Sequence, residues 1–146
     1  MSRSPVLSLC LLALAVAGCG GDDGEDATTK AARKAAESYV HDLGSRDGEA
    51  VCAHMTKALR TEFTDTVGRA NPQVKGRPCG DIMSLALRSI PSDQLEAFSA
   101  AKIEMVKVKG SAGTFVYRLH DIRVDGQVAR EGGRWKVSCC VPGQDG

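Results

Sequence analysis

The sequence predicts an α+β fold in which N-terminal helices pack on one face of a curved antiparallel sheet of about four strands. Three observations predict this architecture. Apolar residues recur at helical spacing between residues 30 and 90. From residue 101 onward, apolar and polar residues alternate with a period of two, as they do in strands. Glycine-containing turns separate these alternating segments, which is typical of strands that follow one another as hairpins.

Two helical segments are predicted at the start of the domain. The first covers residues 30–43, and either Thr28 or Thr29 is placed to cap its N-terminus. The second covers residues 49–67. Thr56 lies within this second segment and is an N-capping residue type, so the segment is predicted to break there into two pieces.

A third helix is predicted over residues 80–90, and Pro91 closes it. Residues 69–78 before it form a loop with two prolines and three basic residues. A solvated loop is favoured there over a binding loop. Helical spacing predicts that four side chains of the third helix face the core: Ile82, Leu85, Ala86 and Ile90.

The predicted strands occupy the C-terminal third of the chain. The first has an interrupted alternation near Glu104, which indicates a β-bulge. Gly132 and Gly133 form a strong hairpin signal before the last strand. In that strand the side chains of Trp135, Val137, Cys139 and Val141 share the apolar face. The four predicted strands cover residues 102–109, 114–121, 124–131 and 135–141.

The N-terminus carries a sorting pattern. An apolar run of 12 residues, Val6–Ala17, follows Arg3, and this run is too short for a membrane-spanning helix of about 20 residues. Its length and its basic flank match a signal peptide. The run ends in Val16-Ala17-Gly18-Cys19, which resembles the lipobox of bacterial lipoproteins.

That resemblance implies cleavage after residue 18 and a diacylglyceryl group on the Cys19 thiol. Two acyl chains anchor a protein stably to a bilayer. The expected location is therefore the extracytoplasmic face of the bacterial cell membrane. The alternative is that the protein is secreted without a lipid anchor and that a cysteine stands at the cleavage point by chance. The chain is therefore predicted to have four segments: a signal peptide 1–18, a lipidated cysteine with a disordered acidic tether 19–29, a domain 30–141 and a polar tail 142–146.

Composition limits the function further. The formal net charge of the 146-residue chain is +1, which gives no electrostatic case for nucleic-acid binding. The sequence has no CxxC motif, and of its three histidines only His54 lies close to a cysteine, two residues after Cys52. No metal site and no cofactor are therefore predicted.

Four cysteines follow the predicted anchor: Cys52, Cys79, Cys139 and Cys140. Disulfides persist in an oxidising extracytoplasmic compartment, and four cysteines allow three pairings. The predicted bridge joins Cys52, on the inward face of the second helical segment, to Cys79 at the start of the third helix. The competing pairing joins one of these two to Cys139, which also faces the core.

Beyond the lipobox, the chain resembles the NTF2-like (SnoaL-like, cystatin-like) superfamily, in particular the small NTF2-like lipoproteins of high-GC bacteria. Three stretches carry this resemblance: AARKAAESYVHDL, SRDGEAVCAHMT and VAREGGRWKVS. It implies a cone-shaped fold that can enclose a pocket. The superfamily includes ketosteroid isomerase, scytalone dehydratase and many proteins without chemistry, so the fold does not define the function. The residues expected to line such a pocket are Tyr39, Met55, Phe115, Tyr117 and Trp135.

No catalytic residues are predicted. His41 and Asp42 are adjacent on a helix and are not expected to face each other. No inward acid paired with a tyrosine is evident, and the GxSxG and HExxH motifs are absent from the sequence. The favoured function is a non-catalytic binding or accessory domain, for a small apolar ligand or an envelope protein partner. The alternative is an isomerase- or dehydratase-type enzyme acting on a small apolar ligand.

Overall fold

In the computed structural model, which describes residues 24–139, five α-helices precede a four-stranded antiparallel sheet, so the predicted α+β class is confirmed. The signal segment, Cys19 and residues 140–146 lie outside the described residues. A short 3-10 turn, Pro72–Val74, follows the third helix. The helices are α1 Ala27–Gly44, α2 Gly48–His54, α3 Lys57–Ala70, α4 Cys79–Arg88 and α5 Ser92–Ala100, and the strands are β1 Ile103–Lys109, β2 Ala112–Leu119, β3 Ile122–Glu131 and β4 Arg134–Cys139.

Helix α1 begins three residues earlier than predicted. The side chain of Asp26 caps it and accepts hydrogen bonds from the backbone N–H groups of Thr28 and Thr29, at 2.9 and 3.0 Å. The prediction that Thr28 or Thr29 is the cap is therefore wrong, because both lie in the first turn and donate to the cap. The last three residues of the predicted tether, 27–29, are helical.

The predicted break near Thr56 is confirmed. Helix α2 ends at His54, and α3 starts at Lys57 with the Thr56 hydroxyl accepting from the backbone N–H of Leu59 at 3.3 Å. The backbone N–H of Thr56 donates to the carbonyl oxygen of Val137 at 2.8 Å, and Met55 forms a parallel bridge with Val137. The junction between the two helices therefore covers part of the outer edge of β4.

The sheet is a meander with strand order β1-β2-β3-β4. The predicted bulge is present, because the register between β1 and β2 shifts between Ile103 and Met105. Strand β3 runs without a turn through Asp125 and Gly126, and Gly126 lies opposite Phe115 on β2. An added Cβ at Gly126 would collide with the Phe115 ring, so only glycine fits beneath that ring.

The hydrophobic core lies between the helices and one face of the sheet. Helix α1 contributes a buried stripe at helical spacing, which was predicted from the sequence: Ala32, Ala36, Tyr39, Val40 and Leu43. The sheet contributes Ile103, Val106, Phe115, Tyr117, Val128 and Val137. Many side chains of the opposite sheet face are exposed, among them Lys107, Thr114, Arg118 and Gln127.

A disulfide joins Cys52 on α2 to Cys79 on α4, with the Cα atoms 6.1 Å apart, so the predicted pairing is confirmed. Glycines on both helices permit this approach. An added Cβ at Gly48 would lie 2.6 Å from the carbonyl oxygen of Gly80, and an added Cβ at Gly80 would lie 3.1 Å from the Cα of Glu49. The backbones of α2 and α4 are therefore close enough for the bridge to form.

The buried face of α4 differs from the prediction. Its buried side chains are Ile82, Met83 and Leu87, whereas Leu85 is 42% exposed and Ala86 is also exposed. Residues three, four and eight positions after Cys79 lie on the same side of a helix as Cys79. The side of α4 that carries Cys79 and the bridge to α2 is therefore also the side whose side chains enter the core.

Candidate functional site

Four of the five predicted pocket residues are core side chains. Tyr39, Met55, Phe115 and Tyr117 are exposed by 1% or less, and the rings of Phe115 and Tyr117 are stacked with centroids 6.0 Å apart. Trp135 differs from them, because it packs against the core but remains half-buried. Its exposed part leads to a concavity on the surface of the domain.

This concavity, the Trp135 groove, has a volume of about 660 Å³. It lies between one face of α1, the end of α2 and the β3–β4 hairpin. Positions 31, 34, 35 and 38 of α1 line it because they recur on one side of a helix. The complete lining is Ala31, Lys34, Ala35, Ser38, Ala53, His54, Gly133, Arg134, Trp135 and Lys136.

The groove combines an aromatic surface with positive charge. The alanines provide a low apolar wall, and Trp135 provides a broad aromatic surface with an N–H donor. Lys136 forms an ion pair with Glu131 at 3.6 Å. Within residues 24–139, Lys34 and Arg134 form no ion pair. This arrangement suits a ligand that has an apolar part and an anionic group.

A carboxylate and two histidines lie at one end of the groove. Oδ2 of Asp42 is 2.9 Å from Nε2 of His54, and Oδ1 of Asp42 is 3.3 Å from Nδ1 of His41. The expectation that His41 and Asp42 do not face each other is wrong, because side-chain rotation brings these neighbours within reach. The bond to His54 fixes the orientation of an imidazole that lines the groove.

Glu131 fixes the hairpin that carries Trp135. Its two carboxylate oxygens accept hydrogen bonds from the backbone N–H of Lys57, at 3.2 and 3.0 Å, so it satisfies a donor in the first turn of α3. The bond from the Lys57 N–H lowers the pKa of Glu131, and the neighbouring Lys136 lowers it further. The hairpin and α3 are thereby held together by an ionised carboxylate.

Replacement of Glu131 by Gln should lower the melting temperature at neutral pH, by an amount that decreases in acid. Because the pKa of Glu131 is lowered in the folded state, its contribution is complete above the usual glutamate value of about 4.3 and is lost as the pH falls through the lower folded value. Thermal unfolding of both chains between pH 7 and pH 3 measures this difference. The matched control is Glu96→Gln on α5, and a pH-independent difference for Glu131→Gln would contradict the prediction.

A second concavity, of about 340 Å³, lies at the predicted basic loop. Arg69, Lys75 and Arg77 line it, together with Asp65. Val74 of the 3-10 turn is buried and fixes the loop to the core. The three cations surround no aromatic side chain, so the Trp135 groove is the better candidate for a ligand with an apolar part.

Within residues 24–139, no cluster of three or more His, Cys, Asp or Glu side chains is arranged to hold a metal ion. Over the same residues, no helix combines the length and apolar character needed to cross a bilayer. Comparison with known proteins gives no match to a family model, to a curated protein or to a solved structure.

Sequence reasoning missed most of this site. Trp135 was the one groove residue expected to line a pocket. Lys34, His54 and Arg134 come from three separate segments, and nothing in the local pattern brings them together. The spacing of Ala31, Lys34, Ala35 and Ser38 along one side of α1 was the available signal. Such a mixed face is typical of a solvated helix side, so it does not identify a groove by itself.

Proposed function

We propose that this chain is a membrane-tethered extracytoplasmic lipoprotein whose NTF2-like domain binds a ligand or partner without catalysis. The observation that carries the proposal is the motif Val16-Ala17-Gly18-Cys19 after an apolar run of 12 residues. The Cys52–Cys79 disulfide suits an oxidising compartment outside the cytoplasm. Helices that precede an antiparallel meander suit the NTF2-like layout that the sequence resembles.

The packing of the core supports binding in the Trp135 groove rather than in the interior. Tyr39, Phe115 and Tyr117 fill the space between the helices and the sheet. A ligand in that space would have to displace buried aromatic side chains. The groove offers a half-buried indole and two cations, Lys34 and Arg134, without displacement of any core residue.

Replacement of Cys19 by Ser should release the protein from the membrane fraction or leave it unprocessed, because serine supplies no thiol for the diacylglyceryl group. Fractionation of cells and labelling with a fatty acid measure this outcome. The matched control is Cys10→Ser, which changes a cysteine inside the predicted signal peptide and should leave anchoring intact. A Cys19→Ser product that is still cleaved and still labelled would contradict the proposed anchor.

Asp42 and His54 favour a second candidate function, an isomerase- or dehydratase-type enzyme. Their bond of 2.9 Å leaves the other ring nitrogen, Nδ1, as a candidate general base beside the groove. Mass spectrometry of small molecules trapped by residues 24–146 separates the two functions. Recovery of one unchanged ligand supports binding, whereas its conversion by the parent chain but not by His54→Gln supports the enzyme.

A further inference from the structure

We infer that the Trp135 groove docks on the membrane that anchors the chain and accepts the phosphate of an anionic phospholipid. The inference rests on the proposed lipid anchor, and it concerns the groove at the β3–β4 hairpin. Trp135, Lys34 and Arg134 carry it. An indole with neighbouring cations is the combination that proteins place at the boundary between headgroups and acyl chains.

The position of the groove along the chain supports this docking. Helix α1 begins at Ala27, eight residues after Cys19, and eight residues extend at most about 28 Å. Lys34 lies seven residues further along α1, which adds about 10 Å of helix. The groove runs beside α1 from Ala31 to Ser38, so it lies within the distance of the bilayer that the tether allows.

The charges of the groove complement a phosphate. Lys34, Arg134 and Lys136 line it. Lys136 pairs with Glu131, and Asp42 at one end of the groove contacts His54, so Lys34 and Arg134 are the two cations that can face a phosphate. Each basic residue near an anionic bilayer favours binding about fivefold. The negative charges of the acidic residues before α1 oppose the attraction of the groove to an anionic bilayer. Two of them already have partners, because Glu25 pairs with Arg33 at 2.8 Å and Asp26 caps α1.

The aromatic side chain provides both apolar contact and a probe. Trp135 is the only tryptophan of the chain, so its fluorescence reports on this groove alone. Its ring packs on the core from one side and faces the groove with the other. When the groove docks, the upper acyl carbons and the glycerol of a phospholipid contact the exposed part of the ring, and the N–H remains at the headgroups.

The test uses the full lipidated chain in nanodiscs that contain phospholipid brominated near the headgroup. Mass spectrometry first establishes the diacylglyceryl group on Cys19. Trp135 should be quenched in anionic phosphatidylglycerol discs and much less in zwitterionic phosphatidylcholine discs. Lys34→Gln with Arg134→Gln should lower the ratio of docked to undocked protein by about 30-fold, because two basic contacts are lost. The matched control is Lys75→Gln with Arg77→Gln on the basic loop, which should leave quenching unchanged.

The outcomes separate this inference from the proposed function. An anchored chain with equal quenching in the two lipids overturns the docking inference and leaves the anchor intact. Equal loss of quenching in both double variants also overturns it, because general attraction to the bilayer then explains the signal. If millimolar inorganic phosphate at constant ionic strength relieves the quenching, the groove is a site for soluble anions and the docking inference is overturned. Absence of the diacylglyceryl group contradicts the proposed function itself, and the inference is lost with it.

Discussion

Removal of the Cys52–Cys79 bridge is expected to lower the free energy of unfolding by about 3–4 kcal/mol on the chain-entropy model. The two cysteines are 27 residues apart in sequence, and the bridge therefore closes a loop of that size in the unfolded chain. Domains of this size are stable by about 5–15 kcal/mol, so the loss is a large share of the total. Urea unfolding of the Cys52→Ala, Cys79→Ala chain measures it.

A reducing agent provides the control for this prediction. It should lower the urea midpoint of the parent chain toward that of the double variant and leave the double variant nearly unchanged. The close packing of Gly48 against Ser84 involves no sulfur atom, so the chain without the bridge is expected to fold with lower stability. A double variant as stable as the parent chain would contradict the stabilising role of the bridge.

Replacement of Phe115 by Ala is expected to cost about 3–5 kcal/mol, because it removes a ring at the centre of the core. Phe115 is 1% exposed, and its ring stacks on that of Tyr117 and covers Gly126 on the neighbouring strand. The loss combines the transfer free energy of the ring with the cavity left above Gly126. Chemical denaturation monitored by circular dichroism measures the change in unfolding free energy.

Gly126 provides a specific check on this packing. Gly126→Ala places a methyl group against the Phe115 ring, and such overpacking costs about 1–3 kcal/mol. Phe115→Leu creates space at the same point. The double variant Phe115→Leu, Gly126→Ala should therefore be more stable than the sum of the two single changes predicts. Strict additivity would contradict the contact between these residues.

The parts of the fold that were predictable depend on residues with local effects. Thr56 was predicted to cap a second helical piece, and the interruption at Glu104 was predicted to be a bulge, because caps and alternation act within a few residues. Cys52 and Cys79 were predictable as a pair because each was placed on the correct helix. Three pairings were formally open, and packing of α2 on α4 selected this one.

The failed predictions required knowledge of distant contacts. Asp26 and Thr28 are both good capping residues, and the contact of Arg33 with Glu25 and with the carbonyl oxygen of Ile103 fixes the earlier start of α1. Leu85 has the hydrophobicity of a core residue, yet it lies on the side of α4 away from Cys79 and is exposed. The Trp135 groove forms where α1, the end of α2 and the β3–β4 hairpin come together, and no local sequence pattern predicts that arrangement.

The parallel bridge between Met55 and Val137 has a consequence for the order of folding. The meander forms from neighbouring hairpins, whose contacts are local and fast. The bridge instead joins residues 82 positions apart (137 − 55), and the buried Thr56 obtains its backbone acceptor only from the last strand. During synthesis or export the helical half therefore emerges first. The backbone N–H of Thr56 then lacks its acceptor, the carbonyl oxygen of Val137, until β4 follows. A chain that ends before β4 loses both the last strand of its sheet and the acceptor of the buried Thr56 N–H.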